Sequence, residues 1–445
     1  MIPRRILPLF LCAWPLCTAA QEPLPPAVPH AGACHSGAYA LPDGSSLVIS
    51  PKDAPDLRYR TLAGASGTLY PAADGGYVSG EGWAVREPVT LRVAFGACGA
   101  GTVRVQRDGN SPVEGRRVPL RTTPVSFSSG AETLYGELVL PASHPPRAAV
   151  VLQYGSGRES AVVYNFLQHL LPLRGIAVFV FDKRGTGRST GGYTADIRTL
   201  ADDMAAAAGA VRARQELHGV PLGLMGESQG GWVAPLAATR VPADFVVVSY
   251  GLAVSMLEED RQEVAQALRA AGHGPEVLAR GDTLHAAVAR VMVSRFGEGL
   301  DELERLKARY RGESWFGDAG GDLTRLLAST PAERMGEIRA LFDFPYDLEY
   351  DPMPVLERLT APQLWILAGA DTEAPHETTL ANLRRLQARG APVEVTVFPG
   401  AEHGMIAVEQ APRGPRLAGR HAEGYFDRLI GWILEQAARE GEPGR

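Results

Sequence analysis

One serine lies in a setting that would make its hydroxyl reactive. Residues 226–230 read Gly-Glu-Ser-Gln-Gly, after an apolar run at 221–225 and before small and apolar residues at 231–234. The run predicts a strand and the later residues predict a helix. A sharp turn between them would strain the backbone at Ser228, which requires the flanking glycines, and would expose its hydroxyl beside a helix N-terminus. The alternative is a glycine-rich turn with an exposed serine, because the pentapeptide alone is a weak signal in a chain with 50 glycines.

A carboxylate and an imidazole follow Ser228 in the chain, each directly after a predicted strand. Asp371 follows the apolar run at 363–368, and His403 lies in a glycine-flanked loop after the run at 393–398. Taken singly, Asp371 could cap a helix that begins near Pro375, and His403 could be an ordinary loop residue. Taken together, their order and positions predict a catalytic triad, which is defined by geometry and roles rather than by spacing.

The three residue types divide the work of acyl transfer. A serine hydroxyl is a weak nucleophile at neutral pH, so His403 would take its proton and later return it to the leaving group. Asp371 would fix the imidazole tautomer and stabilise the imidazolium. Glu373 is the alternative acid, and Glu402 would either tune the histidine or be a solvated neighbour.

Acyl transfer also needs an oxyanion hole, in which each hydrogen-bond donor contributes about 3–4 kcal/mol. One donor should be the backbone N–H of Gln229, the residue after the nucleophile. The second should come from the loop at 154–158, where glycines let the backbone approach a substrate closely. Within this loop we predict the N–H of Ser156.

Strand-like and helical runs alternate around these residues. Further apolar runs lie at 148–153, 176–181 and 245–248, with helical periodicity at 161–171, 197–217 and around 426–434. A hairpin is predicted at 125–140. This alternation predicts an α/β fold with a mostly parallel sheet covered on both faces, built from residues 121–251 and 351–440.

The segment between these two parts, residues 252–350, does not follow the alternation. It contains several charged amphipathic helices and no convincing strand. An insertion at this point would lie over the carboxyl ends of the strands, where the site is expected. We predict a helical lid, with a surface decoration as the alternative.

The predicted triad and two loops carry a family resemblance. Residues 155–157 read Gly-Ser-Gly, and residues 182–189 read Asp-Lys-Arg-Gly-Thr-Gly-Arg-Ser. Together with Ser228 these resemble the α/β-hydrolase superfamily, in particular bacterial serine esterases and related serine peptidases, over residues 125–251 and 351–438. The resemblance implies an α/β-hydrolase sheet and hydrolysis of small or medium acyl esters without a cofactor. Tyr154 departs from the family pattern, because many relatives have His-Gly before the oxyanion donor.

The region before the predicted hydrolase has a different composition. Between residues 33 and 120, short alternating stretches are separated by glycine, proline and aspartate turns, with no helical period. This pattern predicts a small β-rich domain. It contains no recognisable catalytic constellation.

The N-terminus predicts export. Arg4 and Arg5 precede a short apolar stretch at 6–16, and small residues at 18–20 allow cleavage after Ala20, so residues 1–20 read as a signal peptide. The apolar stretch is too short to span a bilayer. A cytoplasmic chain with an apolar start and a lipoprotein cut at Cys17 are the alternatives. Residues 21–32 are proline-rich and predict a linker.

The cysteine count agrees with export to the periplasm or the medium. Cys12 and Cys17 would leave with the signal peptide, which leaves Cys34 and Cys98. Because an exported protein with an even number of cysteines usually pairs them, we predict a disulfide between these two. Two free buried thiols are the alternative.

Composition argues against several other classes of protein. The net charge of −6 over 445 residues argues against a nucleic-acid-binding protein, and no basic stripe stands out in the sequence. Residues 185–187 lack phosphate-loop spacing, and the histidines form no zinc signature, since His30 and His35 are isolated. We therefore predict a small-molecule ester or peptide substrate and no cofactor, metal, nucleic-acid partner or membrane span.

The function predicted first is an exported serine hydrolase that cleaves carboxylic esters through an acyl-enzyme. A peptidase or amidase with the same triad is the closest alternative, and a non-catalytic binding protein on a hydrolase scaffold is a further one. The acyl group, the leaving group and the oligomeric state do not follow from the sequence.

Overall fold

The computed structural model describes residues 32–411 and 414–440, which form parts of two compact units. The first unit contains the chain up to Pro145, Arg158–Gly191 and Ile406–Ile430. The second contains Pro146–Gly157, Gly192–Met405 and the chain from Gly431. The predicted signal peptide and all but the last residue of the predicted linker lie outside the described residues.

A closed antiparallel barrel begins the first unit. Leu91 and Val93 are buried and Arg92 is exposed, as expected where one face of each strand lines a core. The barrel closes because the first strand pairs with both the second and the eighth. The β-rich character predicted for this region is confirmed. The barrel strands are β1 (Gly37–Ala40), β2 (Ser46–Pro51), β3 (Leu57–Arg60), β4 (Ser66–Pro71), β5 (Tyr77–Ser79), β6 (Leu91–Phe95), β7 (Thr102–Arg107) and β8 (Val113–Arg117).

The two cysteines that we predict to pair meet in the first unit. The Sγ atoms of Cys34 and Cys98 lie 2.01 Å apart, a disulfide distance, across a sequence separation of 64 residues.

The remaining strands and the helices follow the barrel. The strands are β9 (Leu120–Ser129), β10 (Glu132–Pro141), β11 (Ala148–Gln153), β12 (Ile176–Phe181), β13 (Leu222–Glu227), β14 (Phe245–Ser249), β15 (Gln363–Ala368), β16 (Val393–Phe398), β17 (Ala401–Glu402), β18 (Ile406–Ala411) and β19 (Gly414–His421). The helices are α1 (Ala161–Tyr164), α2 (Leu167–Leu170), α3 (Ile197–Arg212), α4 (Gly230–Ala237), α5 (Met256–Ala270), α6 (Pro275–Val293), α7 (Leu300–Tyr310), α8 (Asp322–Ser329), α9 (Met335–Leu341), α10 (Met353–Leu356), α11 (Glu377–Ala388) and α12 (Tyr425–Glu440).

Two further antiparallel arrangements complete the first unit. Strand β10 pairs with β9, which forms the predicted hairpin, and also with β12. Strands β18 and β19 form a second hairpin that the sequence analysis missed. Its alternation is weak, because Val408 and Leu417 are partly exposed and charged residues such as Glu409 and Arg416 lie beside them.

Five strands of the second unit run parallel, in the order β16-β15-β14-β13-β11. Every residue of β11, β13, β14 and β15 is buried. Helices that cover both faces of a parallel sheet explain why these strands read as continuous apolar runs rather than as alternating patterns. The mostly parallel core is therefore confirmed. It places the carboxyl ends of β13 and β15, which precede Ser228 and Asp371, at one edge of the sheet.

The segment at 252–350 folds as the predicted helices, α5 to α9. They have an apolar core of their own, which includes Leu268, Leu284, Val288, Leu303 and Leu327. Asp260 of α5 also accepts hydrogen bonds from the first turn of α8, through Leu323 N (2.7 Å) and Thr324 N (3.2 Å). None of the helices among residues 32–411 and 414–440 has the length and apolarity needed to cross a membrane.

Two helix predictions differ from the structure. The helix predicted at 161–171 is broken, because Asn165 is extended (φ −76°, ψ 116°) and its side chain accepts from Leu167 N at 2.9 Å. An asparagine that bonds local backbone in this way competes with the helix. The helix predicted to reach Leu217 ends at Arg212, because Arg214 is extended and a separate 3₁₀ turn, Gln215–Leu217, buries the leucine.

Candidate active site

Ser228 lies on a sharp turn between β13 and α4. Its φ of +53° lies in the left-handed region of the Ramachandran plot. This conformation is energetically unfavourable for any residue that has a side chain. A Cβ at Gly226 would lie 1.9 Å from the carbonyl oxygen of Gly230, and a Cβ at Gly230 would lie 2.5 Å from that of Gln153. Both glycines predicted from the sequence are therefore required by close backbone packing.

The structure brings Ser228, His403 and Asp371 together. His403 Nε2 lies 3.1 Å from Ser228 Oγ, and His403 Nδ1 lies 3.0 Å from Asp371 Oδ2. Asp371 is buried, while the His403 side chain keeps 19% of its surface exposed. These are hydrogen-bond distances at both ring nitrogens, the geometry required for proton transfer from the serine to the imidazole.

Loop hydrogen bonds hold the carboxylate in place. Asp371 Oδ1 accepts from the backbone N–H groups of Glu373 (3.0 Å) and Ala374 (2.8 Å), which leaves Oδ2 for the histidine. From the helical segment, Gln266 Nε2 donates to the main-chain oxygen of Asp371 at 2.9 Å. The carboxylate therefore has little freedom to rotate away from His403.

The loops of Asp371 and His403 are joined to each other. The backbone N–H of Ala370 donates to Ala401 O at 2.8 Å, which continues the pairing of β15 and β16 beyond the sheet. Glu402 Oε1 accepts from Thr372 N (2.6 Å) and Thr372 Oγ1 (2.8 Å). Glu402 thus connects the loop before the histidine to the loop of the acid, rather than forming a hydrogen bond with the imidazole.

The chain is similar in sequence to proteins described as a peptidase and an esterase. A family model described as serine aminopeptidase, S33, matches residues 144–278, which include Ser228 and the loop at 154–157. Esterase EstD of Thermotoga maritima is 25% identical over 331 residues, which are 72% of this chain and 70% of that protein. These matches support the resemblance to the α/β-hydrolase superfamily.

Solved structures that match this chain include those of an esterase and a peptidase. The Pyrococcus horikoshii acylaminoacyl peptidase is 14% identical and matches 90% of this chain with a TM-score of 0.44, and the match spans 57% of that protein's length. The Pyrococcus furiosus esterase Pf2001 is 14% identical, with 72% of this chain and 90% of the esterase matched at a TM-score of 0.43.

Opposing effects act on the pKa of the His403 imidazole. Burial lowers the pKa of His403, whereas the charge and hydrogen bond of Asp371, and then the charges of Glu373 and Glu259, raise it. The raising effects prevail, so the pKa of His403 lies above its ordinary value of 6.5. Glu373 is not the partner of Nδ1, because its Oε2 lies 3.8 Å from Nε2, on the side that faces the serine.

Several acidic side chains interact electrostatically with this histidine or with one another. Burial raises the pKa of Glu259, Glu263, Asp322 and Glu373, and each of these groups except Glu263 is also influenced by the charge of His403. Glu259 and Glu263 belong to α5, and Asp322 begins α8, so the helical segment supplies three of the four. The charges of Glu373 and Glu259 thus favour the protonated imidazole, whereas burial favours the neutral form of the carboxyl groups themselves.

The loop predicted to complete the oxyanion hole lies beside the serine. A Cβ at Gly155 would lie 3.3 Å from Ser228 Cβ and 3.8 Å from its Oγ, so a side chain at this position would crowd the nucleophile. Ser156 O accepts from the hydroxyl of Tyr193 at 2.8 Å, which holds the peptide between Ser156 and Gly157. Gln229 is buried at the N-cap of α4. The donor roles of Ser156 and Gln229 remain predictions.

The motif at 182–189 lies in the first unit and forms a loop whose hydrogen bonds converge on the Asp182 carboxylate. Asp182 Oδ1 accepts from Ser160 Oγ at 2.7 Å, and its Oδ2 accepts from Arg188 N at 2.9 Å. A Cβ at Gly187, where φ is +49°, would lie 2.0 Å from Asp182 Oδ2. The motif thus shapes a compact loop around a buried carboxylate.

One group of possible metal ligands occurs among the described residues. Ligand atoms of Cys34, His35 and Cys98 lie within 4.8 Å of one another. In the sequence His35 is isolated from other ligand types except Cys34, and no pattern there places Cys98 beside it. The two sulfurs lie at bonding distance from each other, so they do not fit a thiolate metal site in this structure.

Proposed function

We propose that the chain is a serine hydrolase that cleaves carboxylic esters through an acyl-enzyme. The observation that carries the proposal is the hydrogen-bonded series Ser228 Oγ, His403 and Asp371, at 3.1 Å and 3.0 Å, with the serine on a turn at positive φ. A merely exposed serine in a turn would need neither partner. The resemblance to esterase EstD supports an ester substrate.

In the proposed reaction His403 Nε2 takes the hydroxyl proton while Ser228 Oγ attacks the ester carbonyl carbon. The resulting oxyanion accepts hydrogen bonds from the N–H groups of Gln229 and Ser156. His403 then returns the proton to the alkoxide, the C–O bond breaks and the alcohol leaves. A water molecule then replaces the alcohol, and His403 Nε2 takes its proton while its oxygen attacks the acyl carbon. The proton passes to Ser228 Oγ as the acyl–serine bond breaks and the carboxylic acid leaves. Asp371 stabilises the imidazolium in both halves of the reaction.

The helical segment, residues 252–350, would act as the lid of this site. Gln266 of α5 contacts the main chain of Asp371, and Glu259 acts electrostatically on His403, so the segment borders the reacting groups. The segment would then shape the pocket that selects the substrate.

Export to the periplasm or the medium is part of the proposal. The predicted signal peptide, residues 1–20, and the Cys34–Cys98 distance support it. N-terminal sequencing of the protein recovered from cell fractions would test it, with a mature start at Gln21 as the expected result.

A peptidase or amidase is the second candidate, and the acidic surroundings of His403 favour it. The half-exposed carboxylate of Glu373, 3.8 Å from His403 Nε2, would attract a substrate that carries an ammonium group, such as the free N-terminus of a peptide. The family description, serine aminopeptidase, is compatible with this candidate.

A paired substrate panel separates the candidates. Purified protein and Ser228→Ala are assayed with chromogenic acyl esters of increasing chain length and with aminoacyl anilides that have free and blocked amino groups. We expect ester turnover that falls by on the order of 10⁴-fold or more in Ser228→Ala. Anilide turnover that requires the free amino group would favour the aminopeptidase. A folded protein without turnover on either set would favour a binding protein on a hydrolase scaffold.

A further inference from the structure

We propose that Tyr250 is a positioning residue, whose ring holds the His403 imidazole in line with Ser228. The inference rests on the proposed function, because it assigns Tyr250 a part in the same proton transfer. Tyr250 follows β14, the strand next to the one that leads into Ser228. Its ring lies 5.0 Å from the imidazole, centroid to centroid, with the planes at 73°. Edge-to-face contact of this kind is the favoured arrangement of two aromatic rings.

The backbone of Tyr250 is held in an unfavourable conformation. Its φ is +43°, so among the described residues it is one of five non-glycine residues with positive φ, and the nucleophile is another. A tyrosine persists in the left-handed region only where its surroundings impose that conformation. The position therefore has a reason to keep a large aromatic side chain in spite of the strain.

Contacts on both sides of Tyr250 impose this conformation. Tyr250 N donates to Ile366 O at 2.8 Å, and Ser249 O accepts from Ser228 N at 3.1 Å. A Cβ at Gly251 would lie 2.8 Å from the Cα of Gly231, so the chain packs against the helix that follows the serine. The backbone at position 250 is thus fixed relative to the nucleophile.

The hydroxyl fixes the other end of the side chain. Tyr250 Oη donates to Glu227 Oε1 at 2.7 Å, and Glu227 is the buried residue immediately before Ser228. With its backbone held at one end and its hydroxyl at the other, the ring forms a rigid wall against the imidazole. His403 lies in a short 3₁₀ turn, His403–Met405, that includes a left-handed glycine. The Tyr250 ring adds a packing contact to the hydrogen bond by which Asp371 orients the imidazole.

Substitutions that suit the left-handed backbone test the role without adding strain. Tyr250→Asn and Tyr250→Gly remove the ring, and both residues tolerate positive φ, so the folded state should survive. Tyr250→Phe keeps the ring and removes only the hydroxyl. Glu227→Gln keeps an oxygen that can accept from Tyr250. All four are compared with the wild type by ester kinetics, normalised to the serines that a fluorophosphonate probe labels.

We expect kcat per labelled serine to fall about 10- to 100-fold in Tyr250→Asn and Tyr250→Gly with KM little changed, because a small displacement of a reacting group has an effect of this size. Tyr250→Phe and Glu227→Gln should lose less than either of these variants, because both keep the ring against the imidazole and alter only the contact at its hydroxyl end. The rate constant of fluorophosphonate labelling should fall in parallel with kcat. A purely structural role would lower the labelled fraction or the melting temperature and leave kcat per labelled serine unchanged.

Two results would overturn the inference. One is wild-type kcat per labelled serine in both Tyr250→Asn and Tyr250→Gly. The other is an equal loss in Tyr250→Phe and Tyr250→Asn, which would assign the effect to the hydroxyl and not to the ring. Failure of the proposed function gives a different result, because the wild-type protein itself would then be inactive on esters.

Discussion

The two oxygens of the Asp371 carboxylate have different partners, and this division orients the imidazole. Oδ1 accepts two backbone hydrogen bonds and Oδ2 faces His403 Nδ1. The proton on Nδ1 is thereby directed at the carboxylate, so Nε2 is the nitrogen left to act on Ser228. Glu373 contributes charge on the opposite side of the ring, which makes it a tuning group and not a second acid for Nδ1.

Replacing Glu373 with glutamine should move the pH dependence of the reaction. In the proposed reaction the His403 base must be unprotonated, so the acid limb of kcat/KM should follow the pKa of His403 in the free protein. The charge of Glu373 raises that pKa, so its removal should lower the pKa and move the limb to lower pH. The Glu373 side chain is 52% exposed, so solvent screens the pair and the shift should be about half a pH unit.

The measurement is kcat/KM against pH for one ester substrate. Glu377→Gln is the matched control, because Glu377 is an exposed residue in the first turn of α11, a few residues further on. Its profile should coincide with that of the wild type. An acid limb that stays in place in Glu373→Gln, or that moves to higher pH, would contradict the electrostatic assignment.

At the scale of elements, the sequence predicts what depends on local pattern and chain order. Strands β11, β12, β15 and β16 have the predicted bounds. The first three are fully buried apolar runs, whereas β16 is a partly exposed edge strand in which valines alternate with polar residues. The positions of Ser228, Asp371 and His403 after strands follow from the same pattern. Their meeting at one edge of the sheet then follows from parallel strand direction.

Other parts of the site depend on contacts between distant segments, which a single sequence does not encode in any readable pattern. Gln266 reaches Asp371 across 105 residues of chain, and Tyr193 reaches Ser156 across 37. Tyr250 gives no motif either, because its importance lies in a positive φ and a ring contact. The β18–β19 hairpin was missed for a related reason, since its half-exposed strands have no clear alternation.

One buried carboxylate joins three helices of the segment at 252–350. Besides the two N–H groups at the start of α8, Asp260 accepts from Thr324 Oγ1 at 2.5 Å and lies 2.9 Å from His285 Nδ1 of α6. Asp260→Ala would leave these buried donors without an acceptor, so we expect the free energy of unfolding to fall by about 3–5 kcal/mol.

Denaturant unfolding measures this loss, and hydrogen exchange over α8 locates it. Asp282→Ala is the control, because Asp282 is half exposed and lies 3.5 Å from Arg261, a pair expected to contribute less than about 1 kcal/mol. Equal losses in the two variants would show that Asp260 does not hold the helices together. Normal protection of α8 in Asp260→Ala would lead to the same conclusion.

At the scale of the whole molecule, the predicted triad and the cysteine pair lie in different units. Ser228, Asp371 and His403 all belong to the second unit, whereas Cys34 and Cys98 belong to the first. A bond that closes a loop of this length restricts the unfolded chain, which in the entropic account contributes about 4 kcal/mol. The disulfide should therefore affect the stability of the barrel and leave the proton transfer at Ser228 unchanged.

The double variant Cys34→Ser/Cys98→Ser tests this separation. We expect its free energy of unfolding to fall by about 4 kcal/mol, and its kcat per labelled serine to equal that of the wild type. Thiol titration adds an independent check, because the chain has four cysteines and the predicted cleavage removes two. Mature protein should then titrate no thiols before reduction and two after it. Two free thiols in unreduced, correctly processed protein, or unchanged stability in the double variant, would mean that the pair does not stabilise the barrel as a disulfide.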